Sequence, residues 1–122
     1  MRDNTGDLIE LGKTDELSSG TMKMVMVKGH EILLARVGEK YYAVDNRCPH
    51  MGGNLSKGEL EGTLVTCPRH SSQFDLNNGQ VVRWLKSSGL IWKVSRLLKP
   101  PKPLVTYNVR VEDNRILIEV WF

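Results

Sequence analysis

The chain has 122 residues, 40% of them hydrophobic and 25% charged, with a formal charge of +3 and an isoelectric point near 9.0. That length and composition fit one globular domain with one sizeable core and exclude a disordered chain. No stripe of Lys and Arg interleaved with aromatics accompanies the mild positive charge, which argues against nucleic-acid binding.

The N-terminal stretch MRDNTGDLIELGK lacks the apolar core of a signal sequence and a twin-arginine pair. No later run approaches the ~18 apolar residues of a membrane span. A cytoplasmic location without membrane contact is the expectation. In that reducing compartment the two cysteines are not expected to form a stapling disulfide.

From Thr21 onward the pattern is one of short strands. TMKMVMV and EILLARV flank a turn at Lys28-Gly29-His30, and EILLARV and YYAVD flank a second at Gly38-Glu39-Lys40. His30 reads as an exposed turn residue. Asn78-Gly79 marks a tight turn between QFDL and QVV. The stretch SSGLIWKVSRLLKPPKP breaks the pattern, because Leu90, Ile91, Val94, Leu97 and Leu98 form a helical stripe. Ser87 or Ser88 would cap it and Pro100-Pro101 would stop it, giving a short helix or ordered loop near 87–99. It would cover the end of the core; the alternative is a contact surface built from Trp84, Trp92 and their neighbouring Lys and Arg residues. Tyr107, Val109 and Val111, then Ile116, Ile118 and Val120, alternate with a period of two around an Asp113-Asn114 turn. Several short strands with turn signals predict an all-β sandwich or barrel.

Between Cys48 and His70 the sequence CPHMGGNLSKGELEGTLVTCPRH gathers both cysteines and two of the three histidines. Cys48-Pro49-His50 and Cys67-Pro68-Arg69-His70 stand sixteen residues apart. Thiolate and imidazole are the ligands that iron–sulfur clusters and zinc select, and each segment offers one of each. Such pairs in loops let two segments close around a metal from opposite sides. Pro49 and Pro68 stiffen those loops by fixing φ and removing a donor. A mixed [2Fe–2S] centre, with two Cys on one iron and two His on the other, takes this set. Structural zinc is the competitor, although zinc modules generally pair C-x₂₋₄-C with H-x₃₋₅-H, not C-x-H with C-x₂-H.

The segments CPHMGG and CPRHSSQFDLNNGQVV resemble the two cluster loops of the Rieske-type [2Fe–2S] proteins. The likeness extends along YYAVDNRCPHMGGNLSKGELEGTLVTCPRHSSQFDLNNG and into the closing PPKPLVTYNVRVEDNRILIEV. It implies a single domain over 1–122, with an antiparallel sandwich or barrel base and a small cluster-binding subdomain at about 46–80. It also implies one [2Fe–2S] cluster per chain, Cys48 and Cys67 holding one iron and His50 and His70 the other, near the surface.

High-potential members of that family use a Ser and a Tyr hydroxyl as donors to the cluster and brace their loops with a further disulfide. Ser72 matches the Ser, but Phe74 stands in place of the Tyr and no cysteine remains for the disulfide. The chain therefore resembles the low-potential, soluble ferredoxin branch, and the lower half of the range from about −150 to +300 mV is expected. Ser71 departs from the Gly usual after the second His; if φ is positive there, Ser fits less well. With two thiolates the oxidised centre is neutral and gains one negative charge on reduction. Arg47 and Arg69 would stabilise that charge if they point inward; otherwise they are solvated surface residues.

The resemblance implies a one-electron carrier, not a catalyst by itself, passing electrons from a reductase to a terminal oxidoreductase such as a ring-hydroxylating oxygenase. Alternatives are a redox-sensing Rieske protein, a small subunit of a reductase such as nitrite reductase and, furthest off, a structural zinc β-domain. Because the chain is basic where oxygenase ferredoxins are often acidic, a partner with an acidic docking face is expected.

Overall fold

The computed structural model of the chain describes residues 6–49, 52–69, 71–83 and 102–122. Among these, strands dominate: β1 (Asp7–Lys13), β2 (Thr21–Val27), β3 (His30–Val37), β4 (Lys40–Asp45), β5 (Glu59–Glu61), β6 (Leu64–Thr66), β7 (Gln73–Asp75), β8 (Val81–Arg83), β9 (Thr106–Tyr107), β10 (Val109–Glu112) and β11 (Arg115–Val120). Short 3₁₀ turns occupy Thr14–Glu16 and Leu55–Lys57. The all-β expectation holds. No helix among the described residues is long and apolar enough to cross a membrane. The helix or ordered loop expected near 87–99, with Trp84 and the rest of the segment to Lys99, lies outside the described residues.

The strands form three antiparallel sheets, ordered β1-β11-β10, β2-β3-β4-β9 and β5-β6-β7-β8. The second sheet packs on both faces. Ile32, Leu34 and Ala43 join Leu11, Ile116, Ile118 and Val120 in one core. Leu33, Ala35 and Val44 join Leu55, Val65, Phe74, Leu76 and Leu104 in another, which also contains Cys48 and Cys67. Successive residues of a strand point to opposite faces, so the unbroken apolar run ILLA feeds two cores at once. Cys48 and Cys67 thus sit in one core, and the first and third sheets pack on opposite sides of the second.

The turns follow from backbone sterics. Lys28 and Gly29 have φ of 50° and 83°, and Asp113 and Asn114 have φ of 50° and 66°, so each pair makes a two-residue hairpin of the type that matches strand twist. His30 is correspondingly the first residue of β3, exposed, with its ring stacked on Phe122 at 3.7 Å. At the Asn78-Gly79 turn Gly79 has φ of 75°, and a Cβ there would lie 2.1 Å from the Leu104 carbonyl oxygen, so only Gly fits. β1 was not among the expected strands. Its inward residues are only Ile9 and Leu11, and a register shift between Glu10 and Gly12 interrupts its pairing with β11, leaving too short an alternation to read.

Candidate metal centre

Two six-residue arcs carry the candidate ligands. The first runs from Cys48 to Gly53 and is closed by an antiparallel bridge between Arg47 and Asn54. The second runs from Cys67 to Ser72 and is closed by the β6–β7 pair Thr66 and Gln73. Their backbone hydrogen bonds correspond one for one. The Cys48 N–H donates to the Gly53 carbonyl (2.8 Å) and the Gly52 N–H to the Cys48 carbonyl (2.7 Å). The Cys67 N–H donates to the Ser72 carbonyl (2.8 Å) and the Ser71 N–H to the Cys67 carbonyl (3.0 Å). Gly52 and Ser71 therefore hold equivalent positions, and both are left-handed, at φ of 72° and 61°. The concern over Ser71 is met: a side chain occupies a conformation that Gly adopts without steric cost.

Both thiols are 2% exposed and neither is in a disulfide. The arcs meet at Gly53, where an added Cβ would lie 2.6 Å from Cys67 Sγ and 3.2 Å from Cγ and Cδ of Arg69. The second arc's sulfur is thus seated against the first arc's backbone. Two buried thiols in one core suit a thiolate-held metal group better than surface cysteines would. His50 and His70, the other half of the expected ligand set, lie outside the described residues. Among the described residues there is accordingly no group of three or more metal-ligating side chains.

A polar network supports the first arc. Asn46 is fully buried, and its Nδ2 donates to Glu31 Oε1 (3.0 Å) and Asn54 Oδ1 (2.8 Å). Its Oδ1 accepts from the Ser56 N–H at 2.8 Å. Arg47 does not simply face a cluster. Its Nε and Nη2 donate to Glu31 Oε2 at 2.9 and 2.6 Å, and its Nη1 donates to the Gly52 carbonyl at 3.0 Å. The hydrogen bonds from Arg47 and then Asn46 hold the Glu31 carboxyl below its usual range, against the opposing effect of burial.

The remaining expected residues divide clearly. Ser72 is fully buried and supplies the carbonyl that receives the Cys67 N–H. Phe74 is fully buried in the core that holds both cysteines. Arg69 is exposed, its aliphatic stem against Gly53. Sequence reasoning missed Arg83, at the end of β8, whose Nε donates to the Ser71 carbonyl at 3.0 Å. It also missed Glu31 and Asn46. For Asn46 a signal existed, a polar residue continuing the YYAVD strand directly before the first arc; for Glu31 and Arg83 there was none.

A family model described as the Rieske [2Fe–2S] domain matches residues 7–94. The ferredoxin component of the naphthalene 1,2-dioxygenase/salicylate 5-hydroxylase systems of Ralstonia sp is 31% identical over 117 residues, covering 95% of this chain and 98% of the relative. The 3-phenylpropionate/cinnamic acid dioxygenase ferredoxin subunit of Escherichia coli (strain K12) is 33% identical over 90 residues, 73% of this chain and 72% of its own length. Among solved structures, the ferredoxin of carbazole 1,9a-dioxygenase from Nocardioides aromaticivorans IC177 shares the fold, with a TM-score of 0.76. That alignment covers 92% of this chain and 96% of the other at 24% identity.

Proposed function

The chain belongs to the Rieske [2Fe–2S] domain family, and on that premise we propose that it is the ferredoxin of an aromatic-compound dioxygenase system, carrying single electrons from a reductase to the terminal oxygenase. Membership brings one [2Fe–2S] cluster per chain and removes the zinc alternative. Cys48 and Cys67 are assigned to one iron and His50 and His70 to the other, with about 46–80 as the cluster-binding subdomain. The observation that supports this most is the pair of matching arcs, each headed by a buried cysteine. The named roles of the relatives, ferredoxin components of dioxygenase systems, supply the biological setting.

When bound, the cluster supplies a one-electron couple that neutral imidazoles make easier to reduce than an all-Cys centre. The chain's own residues do the rest. The core around Phe74, Leu55 and Val65 keeps water from the thiolates. The arcs fix both cysteine backbones through hydrogen bonds of the chain's own. Phe74 offers no hydroxyl, which favours the lower half of the range from about −150 to +300 mV. Lys57 and Arg69 are exposed near the second arc, which fits a partner with an acidic docking face in a cytoplasmic electron-transfer chain.

Anaerobic purification, iron and acid-labile sulfide analysis, and EPR after dithionite reduction test the reading. Two irons and two sulfides per chain are expected. So are the low average g-value of histidine ligation and reoxidation by a terminal oxygenase. Zinc in place of iron, or a cluster that no oxygenase can reoxidise, would overturn it.

A further inference from the structure

Gly52 and Ser71 are equivalent in their two arcs, and each presents its carbonyl to an arginine: Arg47 Nη1 reaches Gly52 and Arg83 Nε reaches Ser71, both at 3.0 Å. The two clamps differ in what else they hold. Arg47 gives its other nitrogens to Glu31, so the pair adds little net charge. Arg83 is half-buried, and no carboxylate among the described residues lies within ion-pair distance of it. It enters from β8, where it is paired with Gln73. Among the described residues it therefore brings a cation with no carboxylate partner to the arc that bears Cys67.

We propose that Arg83 is a positioning residue for electron transfer: its guanidinium pins the left-handed Ser71 and its charge favours the reduced state of the centre. The hydrogen bond is charge-assisted, roughly twice as strong as a neutral one, and is directed at Ser71, the one described residue of the two arcs that adopts the left-handed conformation with a side chain. Reduction adds one negative charge, and a partly desolvated cation nearby stabilises the reduced form selectively. Lysine would keep the charge but lose the rigid planar guanidinium whose Nε–H is aimed at the carbonyl. Geometry and charge are therefore separable by substitution.

The inference rests on the electron-transfer reading. The wild-type protein is measured first, since absence of its EPR signal would sink that reading and not this one. The loaded full-length chain is then compared with Arg83→Gln, Arg83→Lys and, as a distant control, Arg115→Gln. Redox titration followed by EPR gives the reduced-to-oxidised ratio at a fixed applied potential, and transfer of iron to a chelator gives the rate of cluster loss. Arg83→Gln is expected to lower the ratio about threefold or more, less so at high salt, and to speed iron loss. Arg83→Lys should hold the ratio near wild type yet lose iron as fast as Arg83→Gln, and Arg115→Gln should change neither. An unchanged ratio in Arg83→Gln, or an equal fall in Arg83→Lys, overturns the proposal. Should Arg83→Gln take up no cluster, Arg83→Lys decides alone: an unchanged ratio with faster iron loss supports the proposal, and any other pairing overturns it.

Discussion

Around Cys48 the arc is held by side chains, with Asn46, Arg47 and Asn54 tying its two ends together. Around Cys67 it is held by sheet, because Thr66 and Gln73 are already partners in the β6–β7 ladder. The backbone hydrogen bonds inside the two arcs are nevertheless the same. An isolated bridge fixes little by itself, so the first arc needs a buried polar network, whereas the second takes its ends from its strands and adds one side-chain clamp, Arg83 on Ser71. The spacing of the expected ligands differs, His two residues after Cys48 and three after Cys67. The constant element is the arc of six residues from Cys to the carbonyl that receives its N–H. Backbone closure is thus common to the two arcs, and the spacing of the expected ligands varies inside it.

The largest expected effect comes from a point where the arcs touch. In Gly53→Ala the new methyl would lie 2.6 Å from Cys67 Sγ, so sulfur and arc must separate. Over-packing of this kind costs about 1–3 kcal/mol, and here the displaced atom is an assigned ligand. Iron and sulfide content should fall well below one cluster per chain while the far-UV circular dichroism stays that of a β protein. Full loading would mean that the arcs are not held by their mutual contact.

Asn46→Ala comes next and acts on the first arc alone. It removes a buried amide that makes three hydrogen bonds and strands their partners, for a loss of about 2–3 kcal/mol. At the closing pair of the second arc, Gln73→Ala removes one bond to Thr66 Oγ1 at 3.1 Å from a site the ladder already fixes, and should cost less than about 1 kcal/mol. Urea unfolding of both variants measures the difference. Equal losses would erase the distinction between a side-chain-held and a sheet-held arc.

What the sequence disclosed tracks how local each cause is. The Lys28-Gly29 and Asp113-Asn114 turns were legible because positive φ selects residues at those positions themselves. The alternation from Tyr107 to Val120 was legible because one face of those strands meets a core. Both cysteines were legible from chemistry and spacing. Arg47 was noticed, but its partner Glu31 lies sixteen residues earlier, and only the register of β3 against β4 brings the two together. Arg83 was invisible for the same reason, since nothing near it in the chain announces that β8 will carry it to Ser71. Networks closed by sheet register leave no periodic trace.

Acid should separate the arcs further. Glu31 is depressed by its bonds to Arg47 and Asn46, so its contribution is complete above the ordinary value of 4.5 and is lost as pH falls through the lower folded value. The gap in melting temperature between wild type and Glu31→Gln is therefore expected to be constant from neutrality down to about pH 5, to shrink below 4.5 and to close once Glu31 is protonated. A gap that widens in acid would show that the carboxylate is not the ionised anchor of the first arc.

The smallest effect is also the most direct comparison of the two arcs, because it exchanges their equivalent residues. Gly52→Ser introduces a side chain at φ of 72° with no described residue within 4 Å to oppose it, so the backbone torsion is what is tested. A torsional penalty of about 1 kcal/mol, offset by about 0.4–1 kcal/mol of freedom removed from the unfolded chain, leaves an expected loss of no more than about 0.6 kcal/mol. Ser71→Gly runs the other way. Relief of about 1 kcal/mol of torsional cost is offset by about 0.4–1 kcal/mol of added freedom in the unfolded state, leaving a gain of no more than about 0.6 kcal/mol. Opposite signs of similar size are what two arcs on one backbone plan require. If Ser71→Gly instead destabilises by more than about 1 kcal/mol, the serine side chain makes an interaction for which the Gly52 arc has no equivalent. The likeness between the arcs would then stop at the backbone.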